Sequence, residues 1–232
     1  MKKLVLLVLL VVGSSLFAQS KSELLAHYEG YYKQMRLQGD VNGVISALTH
    51  LNVIAPSQER RDTLAYVYMN NGQHVQALNT IGIENDANSS DIAVQVKAVS
   101  LKTLNQPKRA IEQFEILYTR KPNAYLAYEL ADLKILVGDT TGAGTNIEYG
   151  LTNAKDEMKH AFFERQQPYE ASLKAAFHHL KGLLTYNVDK TKIDEAIGHI
   201  DQALKIDPSF NLASLSKQAL ESKKNQPEAA KN

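Results

Sequence analysis

Histidines and a carboxylate near the C-terminal end of this chain are the residues with the clearest potential for chemistry. His178 and His179 are adjacent, and Glu195 and His199 follow on a later segment, a combination of residue types that can bind zinc. Neighbouring residues on a helix point about 100° apart, so the adjacent pair cannot both face one ion in the usual way. We therefore favour a packing or solvated role for these histidines over a metal site.

Motifs that carry catalysis are absent from the sequence. The chain contains no Gly-x-Ser-x-Gly turn for a nucleophile, no phosphate-binding glycine loop and no His-Glu-x-x-His motif. It also contains no cysteine, which excludes disulfides, thiolate metal sites and a lipid-modified N-terminal cysteine. We therefore expect a protein that is not an enzyme and that uses no cofactor and no metal.

The N-terminus has the three-part pattern of a secretory signal peptide. A short basic start precedes an unbroken apolar run of nine residues, Leu4–Val12, and small residues follow. This run is too short for a membrane span, which needs about 20 apolar residues. We expect residues 1–20 to be a cleavable signal, cut after Ala18 or after Ser20. The mature chain would then be periplasmic or secreted, without a transmembrane segment, and would not be a lipoprotein.

Charges nearly balance in the chain that remains. The full sequence has 26 basic and 25 acidic residues, and removal of Lys2 and Lys3 leaves 24 against 25, a net charge of −1. Nucleic-acid binders need clustered Lys and Arg against phosphates, so we expect no nucleic-acid partner. Few glycines and prolines interrupt the chain, which predicts one domain over residues 21–223 and a disordered polar tail over 224–232.

A repeat of 33 residues organises this domain. A turn residue is followed five positions later by a small residue, and both positions recur every 33 residues over four copies. Internal periods of this size indicate stacked supersecondary units. The predicted repeats lie near residues 25–57, 58–90, 91–123 and 124–156, with a fifth near 168–210. Their small positions are Val44, Ala77, Ala110, Ala143 and Ala196.

Each repeat contains two segments with the apolar spacing of an amphipathic helix. Val94, Ala98 and Leu101 line one segment, and Phe114 and Leu117 line the next. No copy shows the alternating apolar pattern of a strand. The spacing predicts about eleven helices and almost no strand, with the five small positions buried against a neighbouring helix.

These copies resemble the tetratricopeptide repeat. The clearest match runs from Asp194-Glu195-Ala196-Ile197 to Ala203-Leu204-Lys205-Ile206-Asp207-Pro208, and the signature of ankyrin repeats, which have a similar period, is absent. The resemblance implies an all-α fold: a right-handed superhelical solenoid of stacked helix-turn-helix repeats. A final helix over residues 211–223 would cap its open end.

An insert over residues 157–167 separates the fourth and fifth copies. Phe162 and Phe163 are its most apolar residues, and we favour packing onto neighbouring helices over an exposed contact surface. Pro168 predicts the start of a long helix that reaches Tyr186.

The resemblance also implies where a partner would bind. In this family the first helix of each repeat forms the concave wall. Equivalent positions of successive repeats, 33 residues apart, form columns on this wall. Glu29 and Asp62 occupy the first column, and their negative charges do not support a clamp for a peptide carboxylate. We expect a non-enzymatic scaffold or adaptor with a protein or peptide partner. The alternative is an adaptor for a small-molecule or glycan-related envelope process, with a pocket near the insert. The candidate partner-binding residues are Lys33, Arg36, Asp62, Tyr66, Met69, Gln95, Lys102, Tyr125, Tyr128 and Asp132.

Overall fold

A computed structural model describes residues 20–86 and 88–225. Its described part contains eleven α-helices, as the spacing predicted, and one short 3₁₀ turn at Lys190–Lys192. The predicted signal peptide lies outside the described residues, apart from Ser20. The helices are α1 Lys21–Gln38, α2 Val41–Ile54, α3 Gln58–Asn70, α4 His74–Ile81, α5 Asp91–Thr103, α6 Pro107–Arg120, α7 Ala124–Val137, α8 Thr140–Asn153, α9 Leu173–Val188, α10 Ile193–Ile206 and α11 Asn211–Asn225.

The helices pair in sequence order within two compact units, one ending at Val96 and the other beginning at Lys97. In the N-terminal unit α1 packs on α2, α2 on α3 and α3 on α4. In the C-terminal unit each helix from α6 to α11 packs on the next, and α9 also contacts α7. This arrangement of adjacent helix pairs is an all-α repeat architecture.

The 33-residue period has a direct conformational cause. The four turn residues Gly39, Gly72, Asn105 and Gly138 all adopt left-handed backbone conformations, with φ between 56° and 82°. After each of them, the next N–H donates to the carbonyl five residues earlier, at distances of 2.8–3.0 Å. This pattern ends a helix and satisfies its last carbonyls. Glycine or asparagine is favoured at these positions because other side chains are strained there.

Buried small residues let the paired helices approach each other. Val44 is 8% exposed and the other four predicted positions (Ala77, Ala110, Ala143 and Ala196) are fully buried, so the prediction of five packing positions is confirmed.

The insert contains a β-hairpin where the sequence predicted no strand. β1, Lys159–Phe162, pairs antiparallel with β2, Tyr169–Ser172, and Pro168 precedes β2. The prediction that Pro168 opens a long helix was therefore wrong, because α9 begins five residues later with Ser172 as its N-cap. Each strand has only four residues, and the hairpin buries apolar side chains on one face only, too short a pattern to be distinct in the sequence.

None of the described helices is long and apolar enough to cross a membrane.

Candidate functional site

Predicted binding residues of the N-terminal unit divide into exposed and buried positions. Lys33, Arg36 and Gln95 are exposed, and the ring of Tyr66 is 40% exposed. Asp62 and Met69 are buried, at 3% and 7% exposure. Their placement on a ligand-facing surface is therefore wrong.

Asp62 has a structural role that explains its burial. Its carboxylate accepts a hydrogen bond from Gln58 Nε2 at 2.6 Å and another from Ser90 Oγ at 2.6 Å. Ser90 Oγ also accepts from the backbone N–H of Ala93 at the start of α5. Buried carboxylates are tolerated when hydrogen bonds replace water, and this one joins α3 to the segment before α5.

An open cavity of about 500 Å³ lies between α1 and α3. Its wall includes an ion pair in which Arg60 Nη2 lies 3.2 Å from Glu29 Oε1, together with Tyr32 and Lys33. The sequence analysis named Glu29 as a position of the concave wall but did not select Arg60, which is not at an equivalent position of the repeats.

In the C-terminal unit the two predicted tyrosines of α7 have opposite environments. The ring of Tyr125 is 44% exposed. Tyr128 is only 4% exposed, so its assignment to the binding surface is wrong. Burial and the nearby carboxylates of Asp132 and Glu129 raise the pKa of Tyr128 well above its ordinary value.

Tyr128 belongs to a buried group of rings contributed by α7, the hairpin, α9 and the segment before α11. Its ring centroid lies 4.3 Å from that of His160, 6.3 Å from that of Phe162 and 5.7 Å from that of Phe177. Phe162 in turn lies 4.7 Å from Phe210. We call these five side chains the ring cluster.

Beside the ring cluster, four polar side chains form what we call the polar cluster: Lys102, Glu129, Asp132 and His160. Lys102 Nζ donates to Glu129 Oε2 at 2.5 Å. His160 Nε2 lies 3.5 Å from Glu129 Oε1 and donates to it in the tautomer that carries its proton there. The sequence predicted Lys102 and Asp132 as site residues, but it did not select Glu129 or His160.

The two carboxylates of the polar cluster have opposite pKa shifts. Burial acts to raise the pKa of Glu129, but the hydrogen bond from His160 and the charge of Lys102 outweigh it, so the pKa falls below its ordinary value. Burial raises the pKa of Asp132, and the neighbouring Glu129 adds to the rise, with Lys102 opposing it. Glu129 is hydrogen-bonded to Lys102 and His160, whereas Asp132 has neither a hydrogen bond nor an ion pair within the described residues.

The insert packs over the ring cluster through Phe162. Phe162 is buried while the adjacent Phe163 is 72% exposed, so the packing prediction holds for the first residue of the pair only. A smaller cavity of about 220 Å³ lies between α8, α9 and α10, lined by residues such as Glu148, Lys181 and Leu184. Neither this cavity nor the one between α1 and α3 is lined by a residue of 157–167.

The adjacent histidines have the packing role that the sequence favoured for them. His179 is 2% exposed, its Nε2 lies 2.8 Å from Ser216 Oγ, and its ring packs edge-on against Phe210. His178 is half-buried. Within residues 20–86 and 88–225, no group of three or more histidines and carboxylates is arranged to hold a metal ion.

Solved structures resemble this chain over most of its length. A structure of the protein YrrB, described as a tetratricopeptide-repeat protein with an unusual peptide-binding site, shares 13% sequence identity at a TM-score of 0.64. The similarity covers 87% of this chain and 99% of YrrB. The chain has the tetratricopeptide-repeat fold.

Two structures of the protein MamA show the same similarity to this tetratricopeptide-repeat chain. One shares 17% identity over 90% of this chain and 100% of MamA, with a TM-score of 0.62. The other, from Desulfovibrio magneticus RS-1, shares 14% identity over 82% of this chain and 99% of that one, also at 0.62. No protein-family model matches the sequence, and neither does any curated protein.

Proposed function

We propose that this chain is an exported, non-catalytic scaffold that binds a polypeptide partner on the exposed faces of the first helices of its repeats. The observation that carries the proposal is the exposure of large aromatic side chains on these helices, Tyr66 on α3 and Tyr125 on α7. Tyrosine offers a large contact area with a polar tip and is enriched where proteins bind other proteins. The peptide-binding site described for YrrB shows that a protein of this fold can serve such a function.

Charged residues on the first helices of the repeats would add specificity to the two surfaces. Exposed Lys33 and Arg36 lie on α1 in the N-terminal unit. In the C-terminal unit Glu129 and Asp132 follow Tyr125 at intervals of four and three residues, so all three share one face of α7. Polar groups around an aromatic anchor select partners by charge as well as by shape.

Replacing Tyr66 and Tyr125 together with alanine tests the proposal. The full mature chain is immobilised, envelope proteins are captured and identified, and the capture is repeated with the double variant. We expect the specifically captured protein to be lost, while circular dichroism remains unchanged because both side chains are exposed. A variant with Tyr128→Ala would not be informative, since that ring is core. Retention of the same captured protein by the folded double variant would reject this surface.

A matched control removes exposed apolar groups from second helices. Val53 on α2 and Val75 on α4 are 79% and 54% exposed. The double variant Val53→Ala, Val75→Ala should capture the same partner as the unmodified chain. Loss of capture in this control would mean that binding follows general surface hydrophobicity and not the first-helix faces.

Export rests on the apolar pattern at the N-terminus, and Ser20 favours one of the two cleavage positions. Ser20 Oγ accepts from the N–H of Glu23 at 3.2 Å, and Glu23 Oε2 accepts from the N–H of Ser20 at 2.9 Å. This capping box gives hydrogen-bond partners to two N–H groups at the start of α1. Cleavage after Ala18 keeps it, whereas cleavage after Ser20 removes it. N-terminal sequencing of the secreted or periplasmic chain should therefore begin at Gln19, and recovery of an uncleaved cytoplasmic chain would reject export.

A further inference from the structure

The β-hairpin has two outer edges, and the pairing register shows which backbone groups each one presents. The N–H of Leu173 donates to the carbonyl of Met158 at 2.9 Å, which makes this pair a hydrogen-bonded one. Hydrogen-bonded and non-hydrogen-bonded pairs alternate along an antiparallel ladder. Lys159 and Ala161 therefore point their N–H and C=O groups outward from β1. In β2 the corresponding outward groups belong to Glu170 and Ser172.

The edge of β2 is covered by the protein itself. The N–H of Ser172 donates to Asp207 Oδ2 at 2.8 Å, which confirms that this group points outward. Tyr169 Oη accepts from the N–H of Leu212 at 3.1 Å and donates to Glu164 Oε1 at 2.6 Å. The contacts of Ser172 and Tyr169 fix β2 against the segment between α10 and α11 and against the first turn of α11.

The edge of β1 is open. Lys159 and Ala161 are both exposed, and in the described part of the chain their outward N–H and C=O groups have no hydrogen-bond partner. An edge of this kind is a template for another strand. Proteins often protect such edges by covering them, as Asp207 does for β2, but nothing in the described residues covers β1.

β1, the strand with the open edge, contributes His160 to the polar cluster. His160 on β1 contacts the ring of Tyr128 and the carboxylate of Glu129, so the face of β1 that carries His160 lies against α7, while the outer edge of β2 contacts Asp207. Asp132, one turn beyond Glu129, has no hydrogen bond or ion pair within the described residues. The exposed ring of Phe163 follows β1 directly.

We propose that β1 binds an extended segment of a partner polypeptide, which adds a third strand to the hairpin and places a lysine or arginine against Asp132. Main-chain hydrogen bonds to Lys159 and Ala161 would supply affinity, as in other cases of strand addition. The carboxylate of Asp132, which has no ion-pair partner within the described residues, supplies the preference for a basic side chain, and the exposed Phe163 offers an apolar contact at the end of β1. This inference rests on the proposed function and specifies how the C-terminal unit would bind.

The test uses peptides selected by the purified mature chain from a random-sequence display library. Each selected peptide is resynthesised with single N-methyl groups at successive backbone positions, and its affinity is measured by titration calorimetry. N-methylation removes the N–H, so strand addition predicts that affinity falls by about tenfold or more at every second position and little at the positions between. A periodic loss of this kind is not expected for a helical peptide or for a side-chain clamp.

Three chain variants locate the site. Ala161→Pro removes an outward N–H from the open edge, and we expect it to weaken peptide binding by about tenfold or more. Its matched control is Glu170→Pro, which removes the equivalent N–H from the opposite edge and should bind normally. The unmodified chain should bind a selected peptide more tightly than the same peptide with its basic residue replaced by alanine. The Asp132→Asn variant should bind the alanine peptide normally and show no preference between the two peptides. If Ala161→Pro fails to fold, the N-methyl series on the unmodified chain decides.

Each other outcome contradicts the inference in a distinguishable way. Selected peptides that show no alternation, and that are lost on Tyr125→Ala but not on Ala161→Pro, would reject strand addition and leave the proposed scaffold function intact. Failure to select any peptide would reject both proposals. Concentration-dependent dimerisation that is abolished by Ala161→Pro, with no competition by peptides, would assign the edge to a second copy of the chain and overturn the inference.

Discussion

The first and last repeats of this chain are built on the same pattern but packed very differently. α1 has 18 residues, none of them buried, and its tyrosines lie half-exposed on its surface; Tyr28 stacks on His50 at 4.3 Å. α9 has 16 residues and buries seven of them, including Phe177 and His179. A repeat pattern therefore sets where helices begin, end and pair, but not how densely each pair is packed.

Departures from the repeat account for the density of the C-terminal unit. The hairpin supplies Phe162, and the segment before α11 supplies Phe210; neither belongs to a repeated position. Gly150 on α8 leaves room for the ring of Phe177, because a Cβ at this position would lie 2.0 Å from Phe177 Cζ. Residues outside the repeat pattern thus hold the last repeats together. Mutation of these residues should reveal the difference in packing between the first and the last repeats.

Removing the central ring should have the largest effect. Phe177 is fully buried and packs on Tyr128 and against Gly150, so Phe177→Ala should lower the free energy of unfolding by about 3–5 kcal/mol. Tyr28→Ala in α1, which is half-exposed, should cost about 1 kcal/mol. Urea melts followed by circular dichroism measure both. Similar losses in the two variants would contradict the contrast in packing.

Acid should affect the C-terminal unit through His179. Burial lowers the pKa of His179 to about 4, below its ordinary value of 6.5, so the unfolded chain binds this proton more readily than the folded chain. Stability from this residue is therefore lost as the pH falls from about 6.5 to about 4, by on the order of 3 kcal/mol in total.

The variant His179→Gln isolates this contribution. Glutamine can keep a hydrogen bond to Ser216 but does not titrate, so the variant should lose less stability than the unmodified chain over the same pH range. Melts between pH 7 and pH 4 supply the comparison. His178→Gln should change the pH dependence less, because burial lowers the pKa of His178 too but that side chain is only half-buried. If the free energy of unfolding changed with pH equally in the His179 variant and the unmodified chain, the folded chain would accommodate the protonated His179 ring without loss of stability.

Two glycines of the C-terminal unit should respond with opposite signs. Gly150→Ala forces its new methyl group into Phe177 and should cost about 1–3 kcal/mol. Gly198→Ala, in the middle of α10 with nothing within 4 Å of a new Cβ, should stabilise by about 0.5–1 kcal/mol. Thermal melts of the two variants give the signs directly. A stabilising Gly150→Ala would mean that α8 and α9 can move apart freely.

The smallest expected effect concerns α1. Gly30 lies in the middle of this helix with nothing near its missing side chain, so Gly30→Ala should favour the helix by up to about 1 kcal/mol. Because α1 buries no residue, we expect the gain to appear mainly as slower amide exchange in α1 and only weakly in the midpoint of global unfolding. An equal gain in the global midpoint would show that α1 unfolds together with the rest.

The repeated part of the fold could be predicted from the sequence because its signals are local. The end of a helix depends on a single left-handed turn residue, such as Gly72 or Asn105, and the close contact of two helices depends on a small residue, such as Ala110. The spacing of these residues was enough to predict the helix pairs. The hairpin could not be predicted, since four-residue strands have too few positions to show alternation and Pro168 is equally compatible with a helix start.

The candidate site was predictable only in part, for a different reason. Column positions along a repeat identify the face of a helix, but the hairpin covers part of that face and converts Tyr128 from surface to core. The same cover makes His160 and Glu129 part of the site, although one lies outside the repeats and the other outside the columns. Burial of Asp62 likewise depends on Ser90, a contact between residues far apart in the sequence.

The ring cluster also has a consequence for folding kinetics. In an array of repeats each unit contacts only its neighbours, so native contacts can form locally and in almost any order. The ring cluster joins Tyr128, Phe162 and Phe210, which requires closing loops that span α8, the hairpin, α9 and α10. Contacts at such sequence separations slow folding. The helix pairs should therefore form first, and the hairpin should dock in a late step that sets the folding rate of the C-terminal unit.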